Sequence, residues 1–202
     1  CGLTDQSEGV WVLPKESPVG QDFIEYAQLV DSVLDISILP NRGDCFSVYG
    51  LARECGALYA HPLKCHKVPS INQKSSPDIK IAIDPSRCSY YQATKIGGIG
   101  AHSETPVWMQ ARLYNCGMRP ISWVVDVTNY VMLEYGQPLH AFDANGLTSL
   151  SIEKGASETV QLLNDKEYNV NGSSIIRVNQ SIGAVAGIMG AMSSEVTKNT
   201  DT

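Results

Sequence analysis

Polar and apolar positions along the chain first alternate, then recur at helical spacing, then alternate again. Residues 1–30 are rich in turn formers (Gly2, Gly9, Pro14, Pro18, Gly20) with one short apolar run at Val10-Trp11-Val12-Leu13. That is too little for a core of its own, and it is expected to be the exit from a preceding domain. From Val33 to Leu39 the pattern has period two, with Leu34, Ile36 and Ile38 on one face and Asp35 and Ser37 on the other. This predicts a strand. Pro40-Asn41-Arg42-Gly43 then predicts a turn. After it, Asp44 can cap a helix whose apolar residues Val48, Leu51, Ala52, Cys55, Leu58 and Tyr59 recur every three or four positions. Residues 60–78 are polar and punctuated by Pro62, Pro69 and Pro77, and a domain boundary is expected near residue 70.

The second part opens with alternation at Ile79 to Ile83 and a β-rich stretch from Tyr90 to Ile99, up to the glycines at 97, 98 and 100. Thr105 as N-cap and Pro106 as the first helical residue start a helix through Trp108, Ala111 and Leu113 that Gly117 ends. Ser122 can cap the next segment, Trp123 to Tyr135, which Gly136 stops. Its Val-Val-Asp-Val-Thr run is as β-branched as a strand, so periodicity leaves helix and strand both open. Strands are expected at Leu150–Glu153, Thr159–Leu163, Ser174–Val178 and Ile182–Ala186, with a turn at Asn164-Asp165. The pattern as a whole predicts an α+β fold with mixed sheets, preceded by a small strand-turn-helix portion.

Composition changes this picture little: 43% hydrophobic and 18% charged residues suit a globular chain with a core. The net charge of −6 and pI near 5.1 argue against gripping nucleic acid by overall charge. Six cysteines (1, 45, 55, 65, 88 and 116) form no CxxC pair, and Cys65-His66 lacks a second ligand pair, so no metal site is expected. They read as reduced thiols of a cytoplasmic protein. No run approaches the roughly 18 apolar residues of a membrane span, and no signal peptide is visible. Cys1 in place of an initiator Met, and an end at Asp201-Thr202 within a continuing pattern, suggest a segment of a longer protein.

Candidate chemistry is sparse. His140, in Gly136-Gln137-Pro138-Leu139-His140-Ala141-Phe142-Asp143, sits between a proline turn and an aromatic residue. It can be an oriented base or hydrogen-bonding group, or a core histidine satisfied by a backbone carbonyl. Ala186-Gly187-Ile188-Met189-Gly190 is glycine-spaced but carries neither a Rossmann nor a Walker fingerprint. It is either a bulge or close strand approach, or a floor for a ligand that needs bare backbone.

Three runs carry a resemblance. They are Thr105-Pro106-Val107-Trp108-Met109 through Gly117-Met118-Arg119-Pro120-Ile121-Ser122, then Val124-Val125-Asp126-Val127-Thr128-Asn129-Tyr130-Val131-Met132-Leu133-Glu134, and the 136–143 segment above. Together they resemble the B3/B4 domain of bacterial phenylalanyl-tRNA synthetase β subunits. Pro40-Asn41-Arg42-Gly43-Asp44-Cys45 with Leu51-Ala52-Arg53-Glu54 is similar to the B1 domain upstream, and Gly187-Ile188-Met189-Gly190 to a late B3/B4 loop. The resemblance implies residues 1–30 as the return from an inserted OB-type tRNA-binding domain, 31–69 as B1-type, and 70–202 as the B3/B4 editing domain.

It further implies an α2β2 heterotetramer whose α subunit charges tRNA(Phe) with ATP and Mg2+, no cofactor being held by this segment. The β subunit would bind tRNA(Phe) and hydrolyse tyrosine wrongly attached to it. A pocket for Phe cannot strongly reject an isostere that adds one hydroxyl, which is why a second, editing site is needed. The family's editing residues match His140, which would orient substrate or water, and Arg119, which would hold the tRNA 3′ end. They also match Gly187 and Gly190, which would leave room for the tyrosyl ring. The Glu that reads the phenol would lie beyond Thr202, and Ala191 stands where the family usually has glycine. The competing expectation is a non-catalytic scaffold that docks the α subunit or tRNA.

Overall fold

The computed structural model describes residues 12–64, 70, 78–99, 104–197 and 200. Cys1, Val10-Trp11, Cys65-His66, Pro69, Pro77, Gly100 and Asp201-Thr202, all used above, lie outside these. The chain divides into two compact units, Cys1–Lys67 with Ser103–Leu139, and Val68–His102 with His140–Thr202. Among the described residues every α-helix falls in the first unit and every strand in the second, an α+β arrangement with a mixed sheet.

In the helical unit, α1 (Phe23–Tyr26) is started by Asp22, whose carboxylate accepts from the Ile24 and Glu25 amides at 2.8 and 3.1 Å. The expected strand at 33–39 does not form. Nothing described pairs with it, and Val33, Leu34, Ile36 and Leu39 are exposed. Alternation prepares a face, but a strand exists only where a ladder partner meets its backbone groups. A 3-10 turn, Gly43–Cys45, leads to α2 (Val48–Leu58), capped by Ser47 rather than Asp44. Ser47 Oγ accepts from the Gly50 amide at 2.9 Å, whereas Asp44 is engaged by Arg42 at 3.1 Å. Arg42 also reaches Glu54 at 2.6 Å, and these hydrogen bonds hold both carboxyls below the usual carboxylate range.

Helix α3 (Val107–Asn115) begins one residue later than expected, with Pro106 in the cap position. Thr105 does not cap it, because its hydroxyl donates to Asp126. Val107, Met109, Ala111 and Leu113 are buried, and Gly117 at φ +77° ends the helix while the Met118 amide donates to Leu113 O at 2.9 Å. The ambiguous β-branched segment is a helix, α4 (Trp123–Tyr135), stopped by Gly136 at φ +78°. Packing settles it: Trp108 meets Tyr130 edge-on at 5.5 Å and Tyr49 meets Tyr135 at 5.9 Å. Asp126, 1% exposed, also accepts the Ile121 amide at 2.7 Å, tying the α3–α4 loop to α4.

The second unit is built on a five-stranded sheet. Its strands are β1 (Lys80–Ile83), β2 (Ser149–Lys154), β5 (Ser174–Val178), β6 (Ser181–Val185) and β7 (Met189–Gly190), in that spatial order. β1 pairs parallel to β2, and the other pairs are antiparallel. The small hairpin β3 (Thr159–Gln161) and β4 (Glu167–Asn169) turns at Asn164-Asp165, with Asp165 at φ +61°, and touches the sheet's end through a Leu162–Ala191 bridge. The stretch from Tyr90 to Ile99 forms no strand, and Tyr90 and Ile96 are exposed; β-rich composition without a partner strand is not sufficient. Leu162, Val170, Ile175, Ile182, Val185 and Ala191 make one buried cluster. Ile182 and Val185 both reach it despite odd spacing because β6 is bulged. Ile176 pairs Ala184 but Arg177 pairs Ile182, leaving Gly183 as the extra residue.

Candidate functional site

The bulge determines what lies beside it. The Gly183 carbonyl accepts from the Ala191 amide at 2.8 Å and from Ser194 Oγ at 3.0 Å, which fixes the chain from β7 onward. Gly190 is held in the same way: it pairs with Ala184, and its carbonyl accepts from the Leu163 amide at 3.1 Å. Over these two glycines run His140 and Phe142, two residues apart in one segment. A Cβ built on Gly190 would stand 2.6 Å from His140 Nε2, and one on Gly183 would strike Val178 Cγ2 first and stand 3.2 Å from Phe142 Cε1. The two rings meet edge-on with centroids 4.6 Å apart. Asp143 anchors the far end, accepting from the Asn145 amide and, across 57 residues, from Thr200 Oγ1, both at 2.8 Å.

His140 is exposed on one edge and makes no hydrogen bond to any described residue. The protein packed against its other edge lowers its pKa below the ordinary value, since burial disfavours the charged imidazolium. At neutral pH the ring is therefore uncharged, with one nitrogen able to accept and the other to donate.

The remaining candidates fall as follows. Gly187 is exposed, at φ +71° in the β6–β7 turn, where the Ile188 amide donates to Val185 O at 3.0 Å; the left-handed conformation, not crowding, requires glycine there. Gly190 is buried in contact with His140. Arg119 is exposed in the α3–α4 loop, in the other compact unit. Ala191 is completely buried, so its methyl belongs to the core cluster.

Phe142 and Gly183 escaped notice as a pair from sequence; a glycine inside the apolar run 182–186 was the available signal, since it marks a bulge or a close approach. An open depression of about 560 Å³ lies elsewhere in this unit, lined by Glu158, Gln161, Arg177, Gln180 and Met192 among others. Its cation is already engaged, by Glu153 at 2.8 Å and Glu158 at 3.0 Å. Among the described residues no group of three or more His, Cys, Asp or Glu could hold a metal ion, and no helix is long and apolar enough to cross a membrane.

Comparison with known proteins places residues 87–202 in a match to the B3/4 domain family model. The phenylalanine–tRNA ligase beta subunit of Psychrobacter arcticus is 41% identical over 204 residues, covering 98% of this chain and 26% of the relative. That of Coxiella burnetii is 40% identical over 205 residues, 99% of this chain and 26% of the relative. That of Oleidesulfovibrio alaskensis is 42% identical over 201 residues, 96% of this chain and 25% of the relative. The chain thus spans about a quarter of the length of the curated relatives it matches.

Proposed function

The chain belongs to the B3/4 domain family, and from that premise we propose that it is part of a phenylalanine–tRNA ligase β subunit and carries its editing pocket. The reaction is hydrolysis of Tyr-tRNA(Phe). Water adds to the ester carbonyl, the bond to the ribose oxygen breaks, and that oxygen takes up a proton to leave tyrosine and free tRNA. The α subunit and tRNA(Phe) are the partners in a cytoplasmic α2β2 assembly, and ATP and Mg2+ belong with the charging reaction of the α subunit. Residues 31–69 are assigned as B1-type and 70–202 as the editing domain.

The observation that carries the reading is His140, a neutral, solvent-open imidazole with no hydrogen-bond partner among the described residues. A histidine kept for structure normally satisfies its nitrogens internally. This one has no such partner and keeps an exposed edge, which can orient the attacking water or the ester. Arg119 would supply a cation for the phosphates at the tRNA 3′ end, and Gly187, bare of a side chain, would leave room for the tyrosyl ring.

Replacing His140 in the assembled parent protein tests this. His140→Ala is expected to slow deacylation of Tyr-tRNA(Phe) by tenfold or more, about 1.4 kcal/mol of transition-state stabilisation, while charging with phenylalanine is retained. Because the folded pKa of His140 lies below its ordinary value, the neutral form, and with it the activity, should persist as pH falls below about 6.5. Wild-type deacylation in His140→Ala would leave only the scaffold role.

A further inference from the structure

Gly190 has no room for a side chain, and the space is taken by protein. The atoms a Cβ would strike are Cε1 and Nε2 of His140, with Leu163 Cδ1 next at 3.2 Å. The backbone cannot retreat, because Gly190 pairs with Ala184 on one side and accepts the Leu163 amide on the other. We infer that Gly190 is a positioning residue: its bare backbone is the seat of the His140 imidazole, and it acts through that ring rather than by leaving space for a substrate. The second ring of the segment completes the seat. Phe142 stands edge-on to His140 and touches Gly183, the bulge residue of the neighbouring strand, a face it shares with Val178.

Two glycines on adjacent strands thus receive two rings spaced by two residues, the spacing that puts side chains on one side of an extended segment. The His140 edge carrying Cε1 and Nε2 is laid against the strand. With no hydrogen bond from a described residue to orient the ring, van der Waals contact with Gly190 and Phe142 fixes its plane. A methyl at 190 removes that seat, and a ring misplaced by about an ångström costs on the order of a hundredfold in rate.

The catalytic half of this inference rests on the editing reading; the steric half does not. Exchange of the carbon-bound Cε1 hydrogen of each histidine, read by mass spectrometry on the full-length protein, reports the surroundings of His140 directly, with His61 as internal control. In Gly190→Ala the His140 exchange rate is expected to change by at least about twofold as its desolvation is lost, while His61 stays the same. In the assembled enzyme kcat for Tyr-tRNA(Phe) deacylation falls on the order of a hundredfold with KM within about twofold. Backbone amide exchange of peptides spanning β6 and β7 quickens by on the order of tenfold in Gly190→Ala, and the added His140→Ala change restores protection, since it removes the clash.

An unchanged His140 exchange rate with a raised KM would show that Gly190 makes room for substrate, and would overturn the inference. Equal loss of protection with and without His140 would overturn it too. If Gly190→Ala fails to fold, the double variant decides: a folded double supports the seat, an unfolded one refutes it. Wild-type enzyme without deacylation would sink the editing reading, while the exchange data still judge the seat.

Discussion

The two compact units use their apolar residues in opposite ways. In the sheet unit the alternation of β5 and β6 is met within the unit: Ile175, Ile182 and Val185 join Leu162, Val170 and Ala191 in one buried cluster. In the helical unit much of the apolar stripe of α2 is left uncovered: Val48, Leu58 and, just past its end, Tyr59 are exposed at 60, 72 and 72%, Leu51 and Ala52 are half-buried, and only Gly50 is buried. What holds that unit instead is α3 with its four buried residues, aromatic pairs onto α4, and the buried Asp126 carboxylate that fixes the loop between them. Hydrophobic patterning states which face should be covered. Whether it is covered depends on what the rest of the chain brings to it.

That contrast can be broken at three points. The largest effect is expected in the sheet core: Ile175→Ala removes a fully buried side chain and should cost about 2–5 kcal/mol in equilibrium unfolding. A cost under about 1 kcal/mol would mean the cluster is loosely packed. In the helical unit, Asp126→Ala strands the Thr105 hydroxyl and the Ile121 amide, with an expected loss of about 2–3 kcal/mol. If unfolding is unchanged, the hub is not what secures the α3–α4 loop. The smallest effect belongs to the exposed stripe, where Val48→Ser should shift stability by less than about 0.5 kcal/mol. A drop of about 2 kcal/mol there would reveal a cover over α2 and remove the difference between the units.

The strands that read correctly from sequence, β1, β2, β3, β5 and β6, are those whose alternation is matched by a neighbour in register. The stretches at 33–39 and 90–99 carry comparable local signals and form no strand, because no partner strand among the described residues reaches them. The caps divide along the same line. Gly117 and Gly136 end their helices as expected, since a left-handed residue is a local requirement. Asp44 and Thr105 do not cap, since Arg42 and Asp126 claim their side chains. The B3/4 resemblance, legible in the runs from Thr105 to Asp143, agrees with the family match over 87–202.

For the candidate site, the sequence offers His140, Arg119 and the glycines at 187 and 190 as candidates, because residue type and motif spacing are one-dimensional properties. It left open whether the imidazole was satisfied and what the glycines were for. Those answers depend on which strands are neighbours. Only the β6–β7 pairing and the bulge at Gly183 bring bare backbone under His140 and Phe142, and contacts between residues some forty or fifty positions apart are set by register and burial, which no local pattern encodes.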